Sequence, residues 1–180
     1  MSKILSFIWE MAKIIIIALL IVVPIRYFVF QPFFVKGQSM DPNFENGDYL
    51  IIDELSYRFR VPERGEVVVF KYPNDLSQRY IKRIIGLPGE TVEIQGGKIT
   101  IISAKGKEVL DEKYLLSNTL TLGDTKMALG EKEYFVLGDN RAASSDSRRW
   151  GLLPEEDIVG RVILRAWPLT SFTAFGAPAY

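Results

Sequence analysis

Ser39, in the stretch Gly37-Gln38-Ser39-Met40-Asp41-Pro42, is the strongest candidate for a nucleophile in this chain of 180 residues. The chain contains no histidine and no cysteine, so neither a Ser-His-Asp triad nor a thiol nucleophile can be built from it. If Ser39 attacks a substrate, another group must take its proton. Lysine is the leading candidate for that base, because a neutral amine can accept a proton from a hydroxyl.

Lys82 lies in an apolar setting, within residues 79–85, which are predicted to form a β-strand. Alternation along a strand puts Tyr80, Lys82 and Ile84 on one face. The pKa of lysine in water is about 10.4, and burial can lower it by about 3–5 units, which reaches neutral pH. A solvated lysine on an edge strand has the same local sequence, so the strand pattern alone leaves both interpretations open.

A dense group of polar side chains at residues 138–151 directly follows the predicted strand 134–137. Its acidic and basic residues can form ion pairs, and its serines can orient a neighbouring base; a solvated loop has a similar composition. The calcium-binding spacing Asp-x-Asp-x-Asp and the glycine-rich spacing of phosphate-binding loops are both absent.

The N-terminal segment predicts a single-pass membrane anchor over residues 1–30. Residues 14–25 are continuously apolar, and apolar residues before and after them extend the run to the roughly 20 residues that cross a bilayer. A cleaved signal peptide is the alternative, but the bulky sequence Pro24-Ile25-Arg26-Tyr27-Phe28 follows instead of a small-x-small cleavage site. Charge determines orientation only weakly, since basic residues lie on both sides of the apolar run.

Composition limits the function of the remaining 150 or so residues, which suffice for one globular domain. The formal net charge is zero and no basic stripe is present, which argues against a nucleic-acid partner. Without histidine or cysteine, the commonest metal ligands are missing, so we expect no metal and no cofactor.

Short β-branched and aromatic runs separated by turn residues predict a mainly β domain over residues 31–170, followed by a tail over 171–180. We expect a compact, coiled antiparallel sheet, barrel-like in shape, attached to the one N-terminal transmembrane helix. The tail could dock on the domain, lie against the bilayer or remain disordered. The predicted strands are 49–53, 66–70, 79–85, 91–94, 98–102, 134–137 and 158–166.

Three motifs in order resemble those of bacterial type I signal peptidases, the Ser-Lys proteases that remove signal peptides from exported proteins. They are Ser39-Met40-x-Pro42, Tyr80-x-Lys82-Arg83-Ile84-x-Gly86-x-Pro88-Gly89, and Gly138-Asp139-Asn140-Arg141 with Ser144-x-Asp146-Ser147-Arg148. The resemblance runs from the anchor to about residue 168. The short segment 90–132 implies that the large second β subdomain of some relatives is absent, as in the compact Gram-positive or cyanobacterial type.

The sequence departs from the family pattern at several positions. Ala142 and Ala143 replace a common Asp-Asn pair, and Asn43 stands where threonine is usual. Gly37 occupies a position where some members carry a serine that helps to form the oxyanion hole. The hole would then depend on the Ser39 backbone N–H, with help from the neighbouring residues 37 and 38.

By this resemblance Ser39 is the nucleophile and Lys82 the general base, while Ser144 orients Lys82. Asp146 and Arg148 would support the site, with Asp139 and Arg141 nearby. The partners would be signal peptides and the lipid bilayer, with the catalytic domain on the extracytoplasmic side of the cell membrane. Substrate pockets would be lined by Val35, Met40, Phe44 and Tyr80 for the residue before the cut, and by Phe33 and Ile81 two residues earlier.

Three alternatives remain open from the sequence. A Ser-Lys peptidase of the self-cleaving repressor kind shares a related β core, but carries a DNA-binding region where this chain has its apolar segment. A membrane-tethered binding domain would leave Ser39 and Lys82 far apart. Mitochondrial and plastid relatives of the signal peptidases share the same motifs. A short distance between Ser39 Oγ and Lys82 Nζ separates the enzymatic readings from the binding domain.

Overall fold

The computed structural model of the protein describes residues 2–28, 30–117 and 119–176, and the last four residues of the predicted tail lie outside this part. One long helix, α1 (Ser2–Phe28), opens the chain. Within it, Lys3–Val23 form a 21-residue apolar span of which none is buried against the protein. A helix of that length is about 31 Å long, which matches the hydrocarbon thickness of a bilayer. The helix therefore presents its apolar side chains outward, as a membrane anchor requires.

The rest of the described chain contains twelve antiparallel strands, one short helix, α2 (Ser147–Trp150), and three single 3₁₀ turns, joined by loops. The strands are β1 (Phe30–Phe34), β2 (Tyr49–Asp53), β3 (Val67–Tyr72), β4 (Asp75–Gly86), β5 (Thr91–Gln95), β6 (Lys98–Ser103), β7 (Gly106–Val109), β8 (Thr125–Ala128), β9 (Glu133–Leu137), β10 (Leu153–Pro154), β11 (Ile158–Trp167) and β12 (Thr173–Ala174).

The strands form two sheets. The larger has the order β1-β2-β11-β3-β4-β9-β10, with β12 paired to β11, and the smaller has the order β7-β6-β5-β8. The prediction of a mainly antiparallel β domain on one N-terminal helix is confirmed. Neither sheet closes into a barrel within the described residues, so the barrel-like part of the prediction holds only loosely. The smaller sheet, β5 to β8, lies within segment 90–132. This segment was predicted to be too short for a large second subdomain, and its described residues form only this four-stranded sheet.

The larger sheet curls until β1 and β4 face each other across a gap. β1 is an edge strand that pairs with β2 alone. Residues 79–82 of β4 pair with β3 on one side. Their other edge is open, because β4 pairs with β9 only from Arg83 onward. Because four antiparallel pairings connect β1 to β4, these two strands run in the same direction. The gap between them is thus lined by two open strand edges of equal polarity.

A hydrophobic core fills the inside of this curl and supports the loop between β1 and β2. Met40 and Phe44 from the loop are fully buried there against residues of β2, β3, β4 and β11. The described part of the tail closes this core from outside, since β12 pairs with β11 and the Phe175 ring lies 4.6 Å from the Phe44 ring. Residues 173–176 therefore dock on the domain, which is one of the three possibilities left open by the sequence.

Candidate active site

The loop between β1 and β2 holds Ser39 in a defined position. Its ends are joined by hydrogen bonds from the Val35 N–H to the Asp48 carbonyl, 3.0 Å, and from the Gly47 N–H to the Val35 carbonyl, 2.9 Å. The Ser39 carbonyl accepts a hydrogen bond of 3.0 Å from the Asn140 N–H, which ties the loop to the polar segment 138–151. Ser39 itself is half-buried at the cleft, so its hydroxyl can meet a substrate.

Lys82 reaches Ser39 from β4. The Lys82 ammonium nitrogen Nζ lies 2.7 Å from Ser39 Oγ and 2.8 Å from the Ile81 carbonyl oxygen. Lys82 is only 4% exposed, so its amine is held away from bulk water. The Ile81 carbonyl can accept one N–H of a neutral amine, which leaves the nitrogen lone pair to accept the Ser39 proton. Strand alternation, which predicted the apolar surroundings of Lys82, does not by itself provide this contact with a distant loop.

Burial shifts the protonation of Lys82 in the direction that base catalysis needs. Desolvation lowers the pKa of Lys82 to about 8, although the carboxylates of Asp146 and Asp139 act to raise it. The Tyr80 ring, with its centroid 5.5 Å from Nζ, also favours the charged form. Desolvation outweighs these attractions because the amine has lost nearly all its hydrating water. With a pKa of about 8, about one tenth of the Lys82 amines are neutral at pH 7.

Asp146 is the acidic residue at the centre of the polar segment, and it is fully buried. It accepts hydrogen bonds of 2.8 Å from both Nε and Nη2 of Arg148, and another from the Gly138 N–H. Burial is the largest influence and raises the pKa of Asp146. The Arg148 hydrogen bonds and charge, the Ser144 hydroxyl and the Gly138 N–H together outweigh it, so the net pKa lies below its usual value. Asp146 therefore remains ionised and keeps the segment in one conformation. This is the ion pair that the sequence allowed for.

Ser144 is buried beside these groups, at 4% exposure, but its Oγ makes no hydrogen bond to the described residues. It lies near enough to Asp146 to help lower the pKa of that carboxyl, without the geometry of a hydrogen bond. The Lys82 amine instead donates to Ile81 and Ser39. The orienting role of Ser144 therefore stays a prediction.

Asp139 pairs with Arg83, a residue that the sequence analysis did not place in the site. The two side chains form a buried bidentate ion pair, with nitrogen–oxygen distances of 2.8 and 2.6 Å. Asn43 joins them, because its side-chain amide donates to Asp139, 2.9 Å, and to the Tyr114 carbonyl, 2.9 Å. Arg83 follows Lys82 directly, so this ion pair anchors the strand that carries the base. The motif Lys82-Arg83 and the need to pair a buried arginine were the available signals.

Arg141 also has a partner from outside the segment. Its buried guanidinium is paired with Glu112, and it also contacts Tyr114 and Thr121. These partners belong to the connection between β7 and β8, so the small sheet is joined to the loop that follows β9. Nothing in the spacing of Glu112 and Tyr114 indicates this pairing, since only the folded chain brings them next to residue 141.

Gly138 is tightly packed between the loop that carries Ser39 and the side chain of Ser144. A Cβ built on Gly138 would lie 2.3 Å from both the Ser39 carbonyl oxygen and Ser144 Oγ. Real carbon atoms do not approach oxygen that closely, so only glycine fits between Ser39 and Ser144. Gly138 belongs to a motif quoted above, but its steric role emerges only from the packing.

A cleft of about 700 Å³ lies between the two strand edges and contains Ser39 and Lys82. Of the predicted pocket residues, Phe33, Tyr80 and Ile81 line this cleft. Val35, Met40 and Phe44 do not; they are 3%, 0% and 0% exposed and lie in the core to which Ile81 also belongs. They can shape the cleft only through the residues packed against them.

Comparison with known proteins agrees with this geometry. The family model described as signal peptidase, peptidase S26, matches residues 8–167. A probable signal peptidase I-1 from Synechocystis sp. is 35% identical over 96% of this chain and 89% of its own length. Signal peptidase IB from Staphylococcus aureus is 34% identical over 87% of both chains.

A solved structure, a signal peptidase I from Enterococcus faecalis, is 32% identical and covers 57% of this chain and 97% of its own, with a TM-score of 0.48. The family match and the identities to curated relatives confirm the resemblance drawn from the three motifs, and the repressor-type alternative is set aside. From the family match over residues 8–167 and the identities to curated relatives, the chain belongs to the signal peptidases, the serine peptidases of family S26.

Proposed function

We propose that this protein is a membrane-bound serine endopeptidase that cleaves N-terminal signal peptides from exported preproteins after small-x-small motifs. The observation that carries this function is the 2.7 Å contact between a half-buried serine hydroxyl and a buried lysine amine. This pair lies in a cleft between two open strand edges, directly after a membrane-spanning helix. The family of the chain supplies the class of substrate.

The chemistry proceeds through an acyl-enzyme. Neutral Lys82 takes the proton of the Ser39 hydroxyl as Ser39 Oγ attacks the scissile carbonyl carbon. The resulting ammonium returns this proton to the leaving amine when the C–N bond breaks. Lys82, neutral again, then removes a proton from a water molecule that attacks the ester carbonyl, and Ser39 is regenerated.

The Ser39 backbone N–H is the donor proposed for the oxyanion that forms during both steps. It makes no hydrogen bond to any described residue, so it is available to an incoming carbonyl. Gly37, with a φ of +88°, provides the turn that brings this part of the loop into the cleft. Removing one side-chain donor from the oxyanion hole of a serine protease costs about 2.7–4 kcal/mol, which gives the scale of such a hydrogen bond.

The substrate binds as an extended strand in the gap between β1 and β4. A signal peptide leaves the membrane at the end of its apolar segment, with the same polarity as this chain leaving α1 and entering β1. Its cleavage region therefore runs parallel to β1 and β4, with its upstream residues near the start of both strands. Main-chain hydrogen bonds to these open edges would supply affinity for many different sequences.

The walls of the cleft account for selection of small residues. Phe33, Tyr80 and Ile81 fill the space beside the peptide, and the core residues Val35, Met40 and Phe44 leave no room for Ile81 to move back. Pockets with such walls are shallow and accept alanine-sized side chains at the residue before the cut and two residues earlier.

The lipid bilayer is the second proposed partner, with the β domain on the extracytoplasmic face where cleavage sites emerge. Confinement of enzyme and preprotein to one surface raises their effective concentration. Neither nucleic acid nor a metal has a part in the proposed reaction, and no cofactor is needed because Ser39 and Lys82 supply both nucleophile and base.

The rate of cleavage should increase with pH because only neutral Lys82 is active. Since burial lowers its pKa to about 8, kcat/KM should rise about tenfold per pH unit below 7 and level off above 9. Measurement of peptide cleavage from pH 6 to 10 tests this, with intact fold checked by circular dichroism at each pH. A rate that is constant across this range would contradict a lysine base.

Incubation of the detergent-solubilised full chain with a preprotein tests the function itself. We expect one cut after a small-x-small motif, identified by sequencing the new N-terminus of the mature product. The Ser39→Ala protein serves as the negative control, because it retains the cleft but lacks the nucleophile. Cleavage that persists in this variant, or cuts scattered outside such motifs, would refute the proposed activity.

A further inference from the structure

Arg79 lies at the end of the cleft where β1 begins, just after α1, and it bridges the same gap that the substrate must enter. Its Nη1 donates a hydrogen bond of 3.2 Å to Oε1 of Gln31, on the opposite strand β1. Among the described residues, Gln31 is the only hydrogen-bond partner of the Arg79 side chain. Both residues are accessible, and Arg79 is among the residues lining the cleft. A peptide that separates β1 from β4 here would replace Gln31 as the partner of Arg79.

The surroundings keep the Arg79 charge at this end of the cleft. Glu54, just beyond β2, attracts both Arg79 and Arg58; burial raises the pKa of Glu54, and these two guanidinium groups oppose that rise. Glu54 Oε1 is buried without a hydrogen bond to the described residues and does not line the cleft. A bound peptide therefore meets the guanidinium of Arg79 before it meets any carboxylate at this point.

The register of β4 assigns a substrate position to Arg79. Arg79 and Ile81 are two residues apart and point to the same face of the strand, and both line the cleft. The family resemblance places Ile81 at the pocket for the third residue before the cut. A parallel extended peptide advances by the same length per residue as β4. The side chain that faces Arg79 is consequently the fifth residue before the cut.

We propose that Arg79, released from Gln31 when a signal peptide enters the cleft, selects acidic or hydrogen-bond-accepting side chains at the fifth residue before the cut and disfavours basic ones. This inference rests on the proposed function and adds a specificity position outside the two shallow pockets. The interaction is partly exposed, so its effect should be moderate and should weaken with added salt.

Three peptides that differ only in Glu, Gln or Lys at this fifth position test the preference in nonionic detergent with the full chain. We expect kcat/KM to be about three- to tenfold higher for the Glu peptide than for the Lys peptide. The Arg79→Gln protein should cleave the two at nearly equal rates, and Arg79→Glu should reverse the order. Raising the salt concentration to about 0.5 M should reduce the ratio in the unsubstituted enzyme.

Lys71 provides the matched control. It pairs directly with Arg79 across β3 and β4 and is exposed, but it is not among the residues lining the cleft. Lys71→Gln removes the same charge from nearly the same place and should leave the Glu/Lys ratio unchanged. If the Lys71→Gln protein cleaves the Glu and Lys peptides at equal rates, the preference comes from the overall positive charge of this region. That result would overturn the role of Arg79.

Other outcomes separate this inference from the function beneath it. If none of the peptides is cleaved, the proposed function itself fails. If all three peptides are cleaved equally, the selection by Arg79 is refuted and the proposed function stands. A preference for the Lys peptide, which would indicate contact with Glu54, refutes the selection in the same way. If Arg79→Gln alters cleavage only in vesicles with anionic lipid, Arg79 binds headgroups instead of the peptide, and the inference is wrong.

Discussion

Substitution of Lys82 by Met should reduce peptide cleavage by about 10⁴-fold or more, because no other described group lies within hydrogen-bonding distance of Ser39 Oγ to act as base. Methionine is similar in length and apolar, so it fits the same buried site. We expect folding stability to be unchanged or slightly increased, since the buried amine that must lose its hydration is gone. Cleavage rate and thermal unfolding, measured on the same preparation, test both halves of this result.

Two comparisons make the Lys82→Met result decisive. Lys71→Met alters an exposed lysine on the neighbouring strand and should retain activity, which controls for the loss of one charge. Lys82→Arg keeps a positive charge that cannot be removed near neutral pH, and should be as inactive as the Met protein. Substantial cleavage by the folded Met protein would eliminate Lys82 as the base.

Substitution of Gly138 by Ala should reduce cleavage by about 10²-fold, because the new methyl group displaces the nucleophile from its base. The Cβ would lie 2.3 Å from the Ser39 carbonyl oxygen and 2.6 Å from the Ser144 Cβ, so backbone must move on at least one side. Such overpacking also costs about 1–3 kcal/mol of folding free energy. Cleavage assays and denaturant unfolding measure the two effects separately.

Gly176→Ala is the matched control for this substitution. A Cβ at Gly176 would meet nothing within 4 Å, and the residue does not require a left-handed backbone conformation. We therefore expect normal activity and stability from this variant. A second variant, Gly138→Ala with Ser144→Ala, removes the clashing Ser144 Oγ but leaves the Ser144 Cβ and the Ser39 carbonyl oxygen in place. Restoration of full activity in that double variant would show that Ser39 is not displaced.

The local elements of the fold were predictable because they depend on neighbours in the chain. The pattern of β2 was predicted at the observed residues 49–53, and Gly96-Gly97 marked the hairpin between β5 and β6. The apolar run at the N-terminus indicated helix α1. By contrast, β7, β8, β10 and β12 were not predicted. They are short, and they depend on pairing partners that local sequence patterns do not reveal.

The candidate site divides in the same way. Ser39 and Lys82 could be named as candidates because the chain has no histidine or cysteine. Strand alternation left a solvated lysine equally possible, so their roles came from the resemblance of the three motifs and stay predictions. The partners Arg83 for Asp139 and Glu112 for Arg141 were not, since any acidic residue in the chain could have met either arginine. The sequence also could not show that Val35, Met40 and Phe44 are buried in the core, because burial depends on the folded chain. Their assignment to the pocket wall was therefore made without that information.

By itself, the amino-acid sequence limited the chemistry that is possible here: without histidine or cysteine, a serine with a lysine base was the leading candidate, beside an apolar anchor and a set of β-strands. Composition and periodicity are properties of the chain and need no fold. Only the tertiary structure decided that β4 brings Lys82 to Ser39, that burial lowers the pKa of the Lys82 amine, and that Gly138 packs tightly against the loop that carries Ser39. Desolvation and steric contact depend on groups far apart in sequence, and these meet only when the sheet curls.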